Sequence, residues 1–320
     1  MQSPSLRLRA AALVAAGLLC LPVFGFDLQG HRGARGLAPE NTLPAFERAL
    51  AVGVTTLELD IGVTADGVVV IAHDPWLNPA FTRDAAGEWL PGTRGPLLKD
   101  LTLAQLGTYD VGRLRPGTSY AASLATQEPR DGTRIPTLAQ LFALVSARGM
   151  PVRFNIETKL HPEHSVGPEA MTRALLKVIV EAGMGARVSI QSFDWRSLQL
   201  VQQLTPAIPT VYLTAEGAGS NNNVRDGNAG FTLADHGSVP RMVKAAGGAA
   251  WSPNFAALTA ERIKEAHDLG LKVIPWTVNE PADLDRVLAL AVDGIITDYP
   301  DRLRQAMARR GLPLPPAAQP

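Results

Sequence analysis

Short runs rich in Val, Ile and Leu alternate along the chain with stretches whose apolar residues recur every three or four positions. The runs at 27–30, 56–61, 68–72, 152–157, 188–191, 210–214, 249–252, 272–277 and 294–297 read as strands. The periodic stretches at 42–52, 137–148, 168–182, 195–204, 239–246, 260–269, 281–290 and 301–310 read as helices, with a further short one at 103–106. Regular alternation of this kind predicts a parallel sheet covered by helices. Nine strands are one more than an eight-stranded barrel needs. The odd one is 68–72, which follows its neighbour through Asp66-Gly67, a hairpin signal. A parallel crossover needs a dozen or more residues, so this run should lie antiparallel to 56–61. Eight parallel strands remain, which predicts an α/β fold of the (β/α)8 TIM barrel type.

The pattern breaks in three places. From about 72 to 135 the chain is rich in Pro, Gly and Arg, including Arg113, Arg115 and Arg130. That is too long for a plain loop and reads as a lid or subdomain inserted after barrel strand 2. The stretch 217–230 reads as a second loop. The Pro/Ala-rich segment 311–320 reads as a disordered tail after a barrel domain at 26–310. The predicted parallel strands end at polar or aromatic residues: His31, Asp60, Glu157, Gln191, Thr214, Asn254, Trp276 and Asp298. Barrels of this type build their sites at that C-terminal face.

Composition narrows the partners. The formal net charge is zero and no basic stripe is present, which argues against nucleic acid. Arg7 and Arg9 precede an apolar run from Ala10 to Leu21, too short for a membrane span. Residues 1–25 therefore read as a secretory signal peptide cut after Gly25, and the expected location is periplasmic or secreted. An uncleaved anchor is the alternative. A lipoprotein reading of Cys20 is disfavoured by the bulk of Leu19. Cys20 is the only cysteine, so the mature chain has no disulfide to form.

The chemistry-bearing residues cluster early. Glu58 and Asp60 are two apart in a strand, so both side chains share one face, with Leu57, Leu59 and Ile61 on the other. Glu157 ends the third parallel strand. Three carboxylates converging at a barrel mouth make a hard-oxygen site for one divalent ion, Ca2+ or Mg2+; zinc is disfavoured because no thiolate is available. His31 and His73 supply groups that take and give protons near neutrality. Cleaving a phosphodiester needs both, one for the attacking oxygen and one for the leaving alkoxide. Arg32 and Lys159 flank the carboxylates and suit phosphate binding, or else ion pairs with Glu58 or Glu157. Asn41 or Thr42 reads as a helix cap in preference to a catalytic group. Trp276 reads equally as a substrate-pocket wall or as core, and Gln191, Ser192 and Phe193 as residues supporting the site. His161, His164, His236 and His267 read as structural.

Taken in order, these pieces carry a name. His31-Arg32-Gly33, Pro39-Glu40-Asn41-Thr42, Glu58-Leu59-Asp60, Thr64-Ala65-Asp66-Gly67, His73-Asp74, Ile135-Pro136-Thr137-Leu138, Asn155-Ile156-Glu157-Thr158-Lys159, Gln191-Ser192-Phe193, Trp276-Thr277-Val278-Asn279 and Asp293-Gly294-Ile295-Ile296-Thr297-Asp298 span nearly the whole mature chain. In them the chain resembles the glycerophosphodiester phosphodiesterase family; Thr158 stands where an aliphatic residue is frequent. The resemblance implies a phosphodiesterase barrel that hydrolyses glycerophosphodiesters to glycerol 3-phosphate and an alcohol. It implies His31 and His73 as the acid/base pair, Glu58, Asp60 and Glu157 as metal ligands, and Arg32 and Lys159 as phosphate contacts. Two other readings stand beside it. One is a phospholipase D-like enzyme acting on lysophospholipids or sphingomyelin, with Phe81, Trp89 and Leu90 as an apolar entrance. The other is a noncatalytic secreted barrel that captures phosphodiesters. The expected partner is a small molecule; oligomeric state is left open.

Overall fold

The computed structural model describes residues 25–216 and 228–318. All but Gly25 of the leader expected at 1–25, and most of the loop expected at 217–230, lie outside them. The chain runs β1 (Asp27–Gly30), α1 (Leu43–Val52), β2 (Thr56–Val63), β3 (Val69–Ile71), α2 (Leu103–Leu106), α3 (Ser119–Ser123), α4 (Leu138–Ala147) and β4 (Arg153–Thr158). It continues through α5 (Pro168–Glu181), β5 (Val188–Ser192), α6 (Trp195–Leu204), β6 (Thr210–Thr214), α7 (Leu233–His236), α8 (Val239–Ala245) and β7 (Ala250–Pro253). It ends with α9 (Ala260–Asp268), β8 (Lys272–Val273), α10 (Pro281–Ala289), β9 (Gly294–Thr297) and α11 (Pro300–Arg309).

Strands pair in the order β8-β7-β6-β5-β4-β2-β1-β9, all parallel. Between the two ends, Asp293 N donates to Val273 O at 2.9 Å and Ile296 N to Pro275 O at 3.0 Å, so the eight-stranded barrel is nearly closed. The extra strand β3 pairs antiparallel with β2, Ile61 opposite Ile71, as the Asp66-Gly67 turn requires. Regular pairing in the run expected at 272–277 stops after Val273, because Pro275 has no N–H for the ladder.

Helix starts follow local chemistry. Thr42 and Asp194 cap α1 and α6, Thr137 and Gln140 form a capping box on α4, and prolines sit in the first turns of α1, α5, α8, α10 and α11. The main core lies between barrel and helices, where Leu57, Leu59, Ile61, Phe154 and Ile156 meet Phe46, Leu50, Phe142, Leu175 and Ile179. Inside the barrel the two halves differ. Val211, Ala250, Ile274 and Ile296 form a separate apolar cluster. Across from them, Gln29, Glu58, Asn155 and Gln191 are buried and hydrogen-bonded: Asn155 Nδ2 donates to Gln29 Oε1 and to Gln191 Oε1, at 3.0 and 2.7 Å. That polar half supports the site.

The segment after β3 packs around its own apolar cluster of Val70, Leu77, Leu90, Leu98 and Leu106. Leu90, expected at an apolar entrance, is therefore part of an interior. Two arginines of this segment are spent locally: Arg113 pairs with Asp131, and Arg115 Nη1 donates to Leu90 O at 3.3 Å. Helix α3 has no apolar period in the sequence; its start is held by Thr118, whose Oγ1 accepts from Ala121 N at 3.1 Å. The tail expected to be disordered is tied down as far as Ala318. Ala318 N donates to Leu50 O at 2.8 Å, and Arg304 Nη1 to Pro315 O at 2.6 Å. Arg304, on α11, gives this proline-rich stretch a fixed donor that its composition does not reveal. No helix among the described residues is long and apolar enough to cross a membrane.

Candidate active site

The site begins where β1 ends. Arg32 and Gly33 both have positive φ, 49° and 84°, so the chain doubles back directly after His31. Only glycine fits at 33, since a Cβ there would lie 2.7 Å from the Ala45 carbonyl carbon. The turn aims Arg32 N at Glu58 Oε2, 2.8 Å away, and Gly33 N at Glu58 O, 3.2 Å away. At the other end of this loop the capping expectation divides between its two candidates. Thr42 caps α1, its Oγ1 accepting from Ala45 N at 3.4 Å. Asn41, at φ 55°, turns away from the helix and donates from Nδ2 to Asp60 Oδ2 at 2.9 Å. Asn41 thus belongs to the site and not to the cap.

Glu58, Asp60 and Glu157 are buried, and each offers an oxygen within 4.8 Å of the others. Sheet register explains this, because Asp60 on β2 stands directly opposite Glu157 on β4. Glu58 receives Gln191 Nε2 at 2.7 Å besides the Arg32 amide. Glu157 receives Lys159 Nζ at 2.8 Å. Asp60 Oδ1 is buried without a hydrogen-bond partner, 3.8 Å from Lys159 Nζ. Burial, with Asp60 beside it, holds Glu58 far above the usual carboxylate range. Burial likewise lifts Glu157 to about 7 against the opposing pull of Lys159. Burial also works against charge on Asp60, but His73, Arg32 and Lys159 outweigh it and hold that carboxyl well below its ordinary value. Three acids this close favour partial protonation until a cation joins them. An all-oxygen donor set with one orphaned oxygen fits a hard divalent ion such as Ca2+ or Mg2+.

Both predicted histidines reach this cluster, each with a carboxylate behind it. His31 Nδ1 lies 2.5 Å from Asp298 Oδ1, and its Nε2 lies 3.9 Å from Glu58 Oε2. Asp298 is itself held by Asn279 Nδ2 at 2.7 Å, with Arg35 Nε at 3.3 Å. His73 Nδ1 lies 2.8 Å from Asp74 Oδ1, and Asn78 Nδ2 holds Asp74 Oδ2 at 2.7 Å. A carboxylate on Nδ1 puts the proton there and leaves Nε2 with its lone pair. Burial keeps His31 below its ordinary value despite Asp298. Burial, then Arg32 and Lys159, lowers His73 to about 4.

Arg32 pairs with Glu40, Nη1 to Oε1 at 2.6 Å, and its Nε lies 3.4 Å from Asp60 Oδ2. Neither cation therefore makes the simple pair with Glu58 weighed from sequence, though Lys159 does pair with Glu157. His73, Glu157 and Lys159 line a cavity of about 640 Å3 together with Phe193, His161 and Asp194. Trp276 does not line it. Its half-buried indole packs edge-on against Phe193 at 5.3 Å and donates to Ser252 O at 3.0 Å. His161 and His164 stack on each other at 4.2 Å beside Trp76. His164 Nε2 lies 2.9 Å from Arg94 Nη1.

Asp298, Asp74, Glu40, Arg35 and Asn279 were not singled out from sequence as site residues. Asp298 had one visible signal, its place at a strand end; Asp74 had its adjacency to His73.

Residues 31–302 match the sequence profile of the glycerophosphoryl diester phosphodiesterase family. The glycerophosphodiester phosphodiesterase of Caldanaerobacter subterraneus subsp. tengcongensis is 30% identical over 283 residues, 88% of this chain and 97% of that protein. A Bacillus subtilis glycerophosphodiester phosphodiesterase is 31% identical over 274 residues, 85% of this chain and 83% of its own. The crystal structure of a protein from Silicibacter pomeroyi DSS-3 has a TM-score of 0.82 at 38% identity, covering 91% of this chain and 96% of that one. An Oleispira antarctica phosphodiesterase, solved with the product sn-glycerol-3-phosphate, shares the fold at a TM-score of 0.65 and 21% identity, over 88% of this chain and 96% of its own.

Proposed function

The chain belongs to the glycerophosphoryl diester phosphodiesterase family, and from there we propose that it hydrolyses glycerophosphodiesters to sn-glycerol 3-phosphate and an alcohol by His/His acid–base catalysis. The observation that carries the reading is the pair of imidazoles, each backed by a carboxylate on Nδ1, beside three buried carboxylates and two cations.

Arg32 and Lys159 bind the nonbridging oxygens of the ester, the guanidinium through a directed N–H and the ammonium as a point charge. One imidazole takes the proton of the attacking oxygen, from water or from the substrate's own glycerol. The other gives a proton to the departing alkoxide. Asp298 and Asp74 hold the two rings in the required tautomer and stabilise the imidazolium that forms. Asn41 and Gln191 fix Asp60 and Glu58. Glu58, Asp60 and Glu157 would hold one divalent ion, Ca2+ or Mg2+. When bound it offsets their charge and polarises a phosphoryl oxygen. The cavity next to Lys159 and Phe193 receives the alcohol.

The phospholipase D-like alternative loses an argument here, since Leu90 is interior to the inserted segment. The noncatalytic alternative leaves the two carboxylate-backed imidazoles without a task. The proposal extends to export: residues 1–25 would be removed and the enzyme would act in the periplasm or medium. N-terminal sequencing of the exported protein checks this, and an intact Met1 overturns it.

The test is release of sn-glycerol 3-phosphate from a set of glycerophosphodiesters, with and without chelator. Release that stops with chelator and returns with Ca2+ or Mg2+ supports the proposal. Failure to cleave any of them, with turnover of a lysophospholipid instead, overturns it.

A further inference from the structure

The inserted segment also holds the loop that carries Arg32. Residues 119–128 lie across the loop that joins β1 to α1 and bind it at three successive residues. Gln127 Nε2 donates to Arg35 O at 2.8 Å, Thr126 Oγ1 to Gly36 O at 2.9 Å, and Glu128 N to Leu37 O at 3.0 Å. On another side the loop meets Tyr299, whose ring a Cβ at Gly36 would strike. At the start of this strap, Tyr120 on α3 reaches the loop's ion pair. Its hydroxyl donates to Glu40, the carboxylate that holds Arg32, and lies 3.5 Å from Arg32 Nη1. The Tyr120 ring is fixed between Phe81, 5.7 Å away, and the Arg35 guanidinium, 5.6 Å from its centroid.

Resting on the reading of Arg32 as a phosphate ligand, we propose that Tyr120 is a positioning residue which, through Glu40, sets the Arg32 guanidinium for the substrate phosphate. Glu40 has two oxygens and two jobs. Oε1 takes Arg32 Nη1, and Oε2 takes the Tyr120 hydroxyl. Arg32 Nε is buried against Asp60 Oδ2 at 3.4 Å without a hydrogen bond, and Nη1 is taken by Glu40, so among the described residues Nη2 is the nitrogen left for a ligand oxygen. Its direction follows from where Nη1 is pinned, because the guanidinium is planar and rigid. Without the phenol, Glu40 Oε2 loses its neutral donor. Its nearest remaining cation is Arg35 Nε at 4.0 Å, so the carboxylate swings toward Arg35 and Arg32 loses its fixed orientation. Burial and the adjacent Glu40 raise the phenol above its ordinary value, so it stays a donor throughout the working pH range. Helix α3 of the inserted segment thereby contributes to phosphate affinity through Glu40, without a contact of its own to the phosphate.

The experiment measures binding of inorganic phosphate to the full chain by calorimetry, beside KM and kcat for a glycerophosphodiester. Losing one hydrogen bond to a charged group should weaken phosphate binding by about tenfold in Tyr120→Phe and raise KM by a similar factor. The expected kcat stays within about twofold, since both acid–base groups are untouched. Ser123→Ala removes a hydrogen bond of the same helix that does not reach Glu40, and should match wild type. Glu40→Gln should weaken phosphate binding at least as much, and adding Tyr120→Phe to it should cost little more, because the two act as one unit. Wild-type phosphate affinity in Tyr120→Phe, a fall in kcat alone, or fully additive losses would overturn the proposal. So would a wild-type protein that binds no phosphate. The activity reading fails separately: wild-type protein that cleaves no glycerophosphodiester, yet loses phosphate affinity on Tyr120→Phe, sinks that reading and leaves this one standing.

Discussion

His31 Nδ1 and Asp298 Oδ1 lie 2.5 Å apart, although 267 positions separate the two residues in the chain. Barrel closure makes this contact. β1 pairs with β9 in a register that sets Gly30 opposite Thr297, so the residues just past both strands meet. Asp298 then fixes the proton on Nδ1 and turns Nε2 toward Glu58. Asp298→Asn presents an amide that can leave the ring in the wrong tautomer. Turnover should fall by roughly 10²–10⁴ with KM little changed, by steady-state kinetics.

The same pair sets part of the acid stability. Burial holds His31 below its ordinary value in the folded protein, so the unfolded chain binds the extra proton first and stability drops as pH falls below about 6.5. Asp298 is held well below the carboxylate range by His31 and Arg35 acting against its burial. Its contribution is present above about pH 4 and is lost as pH falls further. The pair's contribution to melting temperature should therefore decline in two stages on acidification, against an opposite contribution from Glu58 and Glu157, whose raised values favour the folded state as pH falls from neutrality toward the ordinary carboxylate range. In Asp298→Asn the lower stage should shrink, which a calorimetric pH series reads.

Replacing His31 or His73 by Ala removes a proton-transfer group and leaves the three acids in place. Each single variant should lose roughly 10²–10⁴ in kcat. Affinity for Ca2+ or Mg2+ should stay near wild type, as read by calorimetry. A double variant with near-normal turnover would end the acid–base reading.

Cation binding should be pH-dependent. Without a cation Glu157 stays protonated up to about 7, and a ligand must shed that proton to bind. Affinity for Ca2+ or Mg2+ should rise with pH by about tenfold per unit for each proton displaced, and Glu58, also held above the carboxylate range, adds to the slope. Glu157→Gln should bind more weakly and show a shallower slope. Titrations from pH 5 to 8 (roughly the span over which that proton leaves) give both numbers.

Asn41 and Thr42 are neighbours with separate tasks, and substitution should divide them. Thr42→Ala loses a helix cap and should lower stability by about 1 kcal/mol with activity largely kept. Asn41→Ala strips Asp60 of its amide donor, so its main effect should fall on turnover and cation affinity. Melting curves and kinetics on the two variants separate these outcomes.

Much of this was legible in local pattern. Period-two alternation placed Glu58 and Asp60 on one strand face opposite Leu57 and Leu59, because side chains alternate along any strand. Asp66-Gly67 separated β3 from the parallel set, because a two-residue turn admits only antiparallel return. The ordered motifs carried the family, and with it the histidines, the three acids and the two cations.

What only the tertiary structure decided was which distant groups meet. Gln191 on Glu58, Asp298 on His31 and Tyr120 on Glu40 each join elements far apart in the chain. Spacing along a strand tells which face a residue shares, but inter-strand register and barrel closure tell what stands opposite it. Asn41 shows the limit within a single loop. A cap and a site ligand both call for a short polar side chain, and only the backbone turn at φ 55° sends this one to Asp60. The tail at 311–318 shows it for order itself: composition describes the segment, while its docking depends on Arg304 of another element.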